Sequence, residues 1–209
     1  MTTEAAAGTV DLTVMYAAHD AFRRDLERLG DAAAEGTAFT PQVRAGWDNF
    51  RHQLHIHHTA EDSDLWPRVE RKVAGRPRDV ALLAEMEAEH ALLDPRLTAV
   101  DAALKDRSAE LPALVRSLAS TLDEHLAHEE ESALPLIREV LTPADWGAFT
   151  GRIRKTQGVR GAALFVPWIV DGAAPADRAR FLGALPPPVR VLNKLFWEAG
   201  YRRRGLWVV

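Results

Sequence analysis

Apolar residues recur three and four apart in four stretches between residues 9 and 141. The first carries Leu12, Met15, His19, Phe22, Leu26 and Leu29, and "GDAAAEGTAF" interrupts it. Thr40 and Pro41 then suit an N-cap and a first helical residue, opening a seam of Val43, Trp47, Phe50, Leu54, His57, Glu61 and Leu65. After a loop at "AGRPRD" the third seam reads Leu83, Met86, His90, Leu93, Leu97, Val100 and Leu104. The fourth reads Leu111, Leu114, Leu118, Leu122, His125, Glu129 and Leu136. This spacing keeps side chains on one helical face, and four such stretches joined by short loops predict an all-α, up-down-up-down four-helix bundle.

The second pair of stretches echoes the first. "HHTAEDSDLWP" (57–67) aligns without gaps on "HLAHEEESALP" (125–135), and each gives His-x-x-x-Glu with a proline six residues after the glutamate. A lone seam histidine precedes each, His19 and His90. A duplicated helix pair related by a pseudo-twofold axis would bring these polar residues together. Pro67, Pro135 and Pro95 each remove a helical hydrogen bond, and kinks are expected there.

His19, His57, Glu61, His90, His125 and Glu129 thus interrupt apolar seams near mid-helix. One histidine on an apolar face is ordinarily a hydrogen-bonded core residue, and a seam glutamate often reaches for solvent. Two buried carboxylates with no seam Arg or Lys beside them would oppose folding by several kcal/mol. Two divalent cations remove that cost, with neutral imidazoles as further ligands. Mixed imidazole and carboxylate donors in a helical bundle suit iron or manganese, with zinc as a further candidate. Paired by half-motif, His19 and His57 would face one ion, and His90 and His125 the other. Both glutamates would bridge, and with an oxo or hydroxo bridge each ion would keep one vacant position for dioxygen, peroxide or nitric oxide. His52, His55, His58 and His128 fall off the seams and read as surface residues. Asp62, Glu130 and Glu131 read as a solvated acidic face.

The ordered, duplicated set His19, His57-x-x-x-Glu61, His90, His125-x-x-x-Glu129 resembles the hemerythrin-like (HHE cation-binding) family, over roughly residues 9–141. The resemblance implies a non-haem di-iron centre within a four-helix bundle. Dioxygen-carrying members have two histidines four apart on the third helix and a carboxylate five after the histidine of the fourth. Here Met86 and Asp94 stand four residues from His90. Glu130 stands five after His125, but Glu129 lies better on the seam. The chain therefore resembles the four-histidine, two-glutamate bacterial variant. That variant implies more open irons, suited to peroxide or nitric oxide chemistry, including catalase-like peroxide decomposition. The alternative is a non-catalytic iron or oxygen sensor, or an iron-binding protein. A ferritin-like di-iron oxidase fits less well, since its Glu-x-x-His pair is met once, by Glu87 and His90, while Leu122 fills the matching place before His125.

Composition narrows the setting. The chain of 209 residues holds no cysteine, which excludes disulfide frameworks, thiolate catalysis and zinc-finger sites. "MTTEAAAG" has neither the basic nor the apolar part of a secretory signal, and the longest apolar run, "AALFVPWIV", is too short to span a bilayer. A cytoplasmic protein is expected. Residues 1–141 hold 15 basic and 26 acidic side chains, whereas residues 142–209 hold 11 and 4. The change falls at "TPAD", where Thr142 suits an N-cap. Residues 142–209 also hold Trp146, Trp168, Trp197 and Trp207, and read as a basic helical extension whose tryptophans pack on the bundle. An anion-binding surface for lipid headgroups or nucleic acid is the other, less favoured reading: "YRRR" alone is too short to be a specific signal for either, and no specific nucleic-acid partner is expected. Expected partners are a small diatomic ligand or peroxide. The exposed tryptophans also suit a dimer, so a monomer and a dimer both fit.

Overall fold

The four seams close on one another. In the computed structural model, which describes residues 8–208, helix α1 (Thr13–Ala34) packs on α2 (Pro41–Ala60) and α5 (Leu111–His128), and α4 (Pro77–Asp106) packs on α5 and α2. The described residues are overwhelmingly helical and contain no strand, an arrangement consistent with a four-helix bundle. Every residue of the first and third seams is buried. Thr40 caps α2 by accepting from the Val43 amide, with Pro41 at the first position, and Arg107 ends α4 in the left-handed region (φ 53°).

Two short helices extend the bundle beyond its polar layer, α3 (Trp66–Val73) and α6 (Leu134–Val140). Each is joined to the preceding helix by one wide π-helical turn, Glu61–Leu65 and Glu129–Ala133. Both wide turns open at a seam glutamate and end two residues before Pro67 or Pro135. The disturbance expected at these prolines thus lies ahead of them, as a π turn that begins in the polar layer. At Pro95, where a kink was also expected, α4 runs on as α-helix. Pro95 and Ala91 are exposed there, so water can take the carbonyl that the proline leaves free.

The polar layer divides the apolar interior in two. On one side Phe22, Leu54, Leu93 and Leu122 belong to one cluster. On the other, Met15, Leu65, Met86 and Leu134 belong to a second.

Beyond Leu141 the chain continues as α7 (Pro143–Val170), α8 (Pro175–Ala184), α9 (Pro187–Leu192), a π turn Asn193–Trp197, and α10 (Glu198–Arg203). Thr142 and Asp145 form a reciprocal capping box at the start of α7, which breaks internally at Gly158 (φ 59°). The end of α7 and α8 lie against α1. Trp168 is fully buried on Phe22, and its Nε1 donates to Asp25 Oδ2 at 2.7 Å. Arg28 Nη1 donates to Asp171 Oδ2 at 2.8 Å. The chain end returns to α2, where the Trp207 amide donates to the Gln42 carbonyl and the indole lies over Gly46. No described helix is long and apolar enough to cross a membrane. Residues 1–7, on which the expectation of no secretory signal partly rests, lie outside the described residues, as does residue 209.

Candidate metal centre

The six seam residues meet in the layer between the two apolar clusters, and a seventh joins them. Donor atoms of His19, His57 and Glu129 all lie within 4.8 Å of one another, as do those of His58, His90 and His125. A third group of His57, His58 and Glu61 links the two. Glu61 spans them with both oxygens: Oε1 is 3.1 Å from His57 Nε2 and Oε2 is 3.6 Å from His90 Nε2. Glu129 Oε2 is 3.2 Å from His19 Nε2. Nε2 of His90 and Nε2 of His125 stand 3.1 Å apart. The rings are held tightly, with His58 stacked on His90 at 3.9 Å between centroids and Phe22 edge-on to His57 at 5.2 Å.

An outer ring of carboxylates orients the imidazoles. His19 Nδ1 donates to Glu130 at 2.8 Å, His90 Nδ1 to Asp62 at 2.7 Å, and His125 Nδ1 to Glu89 at 2.9 Å. Each bond fixes the ring and turns Nε2 toward the centre. Asp62 and Glu130 follow Glu61 and Glu129 in the repeat, and each takes the lone histidine of the other half. Arg23 holds Glu130 in turn, with Nη1 at 2.8 Å, and also donates to Asp123. Glu89 has a second donor in His128 Nδ1 at 2.8 Å.

Left to itself, this cluster is poorly satisfied. Nε2 of His19, His57 and His58, and both oxygens of Glu61 and of Glu129, are buried without a hydrogen-bond partner. Native interiors rarely leave so many polar atoms orphaned in one place. Burial pushes Glu61 well above the ordinary carboxylate range, and the neighbouring Glu129 adds to this. Burial also opposes charge on Glu129, but His19 and the other imidazoles outweigh it and hold that carboxyl low. For His19, burial works against the cation, yet Glu129 and Glu130 prevail and lift it to about 9. Burial and neighbouring imidazoles hold His57 and His58 well below their ordinary value, and burial with His90 holds His125 below it. Burial disfavours charge on Glu61, and the carboxylates favour a proton on His19, when no cation is bound. With one, the same donors form a nitrogen and oxygen ligand set suited to iron, manganese or zinc.

Several residues read as surface take part. His58 is a member of the cluster, with its Nε2 buried, because α2 lies between α1 and α4 and buries a wider arc than one seam. His57 leans toward His19 on α1 while His58 leans toward His90 on α4. The signal was present in the repeat: His58 aligns with Leu126, which is apolar and fully buried. Asp62 and Glu130 are half-buried partners of histidines rather than a solvated face, and His128 is half-buried on Glu89. His52, His55 and Glu131 are exposed, as expected. Asp94 is exposed, whereas Met86 is fully buried.

Residues 10–137 match the family described as hemerythrin HHE cation binding domain. No curated protein matches the chain, and neither does any solved structure.

Proposed function

Since the chain belongs to the hemerythrin HHE cation-binding family, we propose that the cluster holds two iron ions and serves to bind a small ligand, dioxygen or nitric oxide, or to react with peroxide. The carrying observation is the set of buried, unpartnered donor atoms converging from His19, His57, His58, Glu61 and Glu129. In this reading His19 and His57 serve one ion, His58, His90 and His125 the other, and the two glutamates supply carboxylate oxygens to both. These residues would hold the two ions, with an oxo or hydroxo group as a further ligand, inside a four-helix bundle formed by the four seams. Bound iron supplies a redox-active Lewis acid with room for one small ligand.

The chain's own residues set how that ligand is met. Three imidazoles on one side against two on the other leave the His19 and His57 side the more open. Phe22, packed on His57, and the apolar residues above and below the layer keep water scarce there. Glu130, Asp62 and Glu89 hold imidazole protons on the outward nitrogens, so the inward nitrogens remain ligands. A missing third histidine near His90 would favour peroxide over dioxygen. His58 supplies that histidine from α2, so this reading favours binding at one open end over two-sided peroxide turnover.

Protein from iron-replete cells should contain close to two irons per chain, measured by metal analysis. Reduced protein mixed with air or nitric oxide should show an optical change that reverses on ligand removal. A well-folded, metal-free protein from such cells would overturn the iron assignment. Sustained oxygen release from added peroxide, with no reversible adduct, would move the reading to a peroxide-decomposing enzyme. Iron loading with neither response would leave the non-catalytic iron-binding role.

A further inference from the structure

Four apolar side chains stand in water at the end of the extension. Val191, Leu192, Leu195 and Phe196 are 54%, 37%, 59% and 61% exposed. They share one arc of the continuous helix formed by α9 and the π turn, while Asn193 on the other side is buried. Lone exposed apolar residues need no explanation, but four on adjacent turns mark a binding surface. Arg190 and Lys194 lie on the same helical segment as the arc, and Arg202, Arg203 and Arg204 follow on α10 and just beyond it. All five are exposed. Nearby Arg178 and Arg180 pair with Glu198 and Asp177, but among the described residues none of the five has an ion-pair partner.

We propose that this end of the molecule docks on an anionic lipid bilayer, lying on the surface without crossing it. The four apolar side chains enter the boundary between headgroups and acyl chains, and the five cations meet lipid phosphates. A second copy is a poor occupant, because a twofold contact through this arc would bring two basic segments together. A nucleic acid would satisfy the charges and leave Phe196 and Leu195 in water. The lipid surface accounts for both features.

Co-sedimentation of the full-length protein with vesicles tests the proposal. Binding is expected to phosphatidylcholine vesicles containing phosphatidylglycerol, to weaken as salt is raised, and to be lost with phosphatidylcholine alone. Phe196→Asp should abolish it, and the pair Arg202→Glu and Arg203→Glu should weaken it at least about tenfold. These side chains are exposed, so both variants should melt with the parent protein. Absence of binding to anionic vesicles, or equal binding to neutral ones, overturns the proposal. So does salt-sensitive binding that Phe196→Asp leaves intact, which would mark a general polyanion surface such as one for nucleic acid. A dimer in sedimentation analysis that Phe196→Asp dissociates would give the arc to a second copy instead.

Discussion

His57 and His58 are neighbours on one helix, yet their rings serve opposite sides of one cluster. If both are ligands, His58→Ala should lower iron content as far as His90→Ala does, while His52→Ala, at an exposed position, leaves it unchanged. Metal analysis of the three variants decides this, and a His58→Ala protein with full iron would return His58 to a packing role. The orienting carboxylates should matter less than ligands but measurably. Glu130→Gln removes a charged acceptor from His19 Nδ1 and should weaken iron affinity about 10–100-fold. Proton uptake gives a separate check. His19 is raised to about 9 and so carries a proton in the metal-free protein near neutrality, and burial of Glu61 beside Glu129 favours a proton there as well. Metal binding must expel them, so affinity should rise with pH up to about 9, and unbuffered protein should acidify on metal addition. The sign for folding is the opposite. A raised His19 stabilises the metal-free fold below the histidine's ordinary value, and that contribution fades as pH climbs through about 9. Metal affinity independent of pH between 6 and 9 would show that these protons are absent.

At the scale of elements, the two wide turns matter most. Each begins at a cluster glutamate, and the amide of that glutamate is shared between two carbonyls, His57 and His58 in one half and His125 and Leu126 in the other. The proline that follows lacks an amide to rejoin the ladder, which is compatible with the change of register, although Pro95 shows that a proline alone does not produce it. Gly46 in α2 illustrates a different constraint. Gly→Ala in a helix interior ordinarily adds up to about 1 kcal/mol of stability. Here an added Cβ would fall inside the Trp207 indole. Gly46→Ala should therefore displace the chain end, red-shift Trp207 emission and speed tryptic cleavage after Arg203 and Arg204. Unchanged digestion with a raised melting temperature would mean that Trp207 does not rest there.

Across the whole molecule, opposite net charges suggest an electrostatic clasp between the bundle and residues 142–209, but the pairs formed argue otherwise. Arg152 meets Asp64 as that idea requires, whereas Arg28 with Asp171 and Lys72 with Asp145 run the other way. Burial of Trp168, Val166 and Phe181 with Phe22 and Leu26 is the larger effect. We propose that the extension is a second unit held chiefly by this apolar contact. Trp168→Ala should then cost about 3–5 kcal/mol of stability, measured by denaturant unfolding. Trp168→Phe should cost about 1–3 kcal/mol, because Asp25 is fully buried and loses a donor. Trp168 also packs on Phe22, which packs on His57, so Trp168→Ala should loosen the more open side of the cluster. A variant that keeps full stability and resists proteolysis between residues 145 and 200 would show that other contacts hold the extension.

The seams were legible in the sequence because helical periodicity is a local property: residues three and four apart must share a face whatever they later touch. That logic placed Leu12, Phe22, Trp47, Leu93 and Leu122 inside, and brought His19, His57, Glu61, His90, His125 and Glu129 into one layer. Thr142 was likewise legible as a cap, because a cap bonds within its own turn. His58, Asp62, Glu89 and Glu130 were decided by tertiary structure. Each lies beside a seam rather than on it, and whether such a position meets water or a neighbour depends on where the adjacent helices stand. His58 is inside because α4 covers the flank of α2, and Glu130 orients His19 because α1 and α5 bring together residues 111 apart in sequence. The extension follows the same rule. Its tryptophans announced a need for burial, but only the packing against α1 determined that Trp168 would meet that need and Phe196 would not.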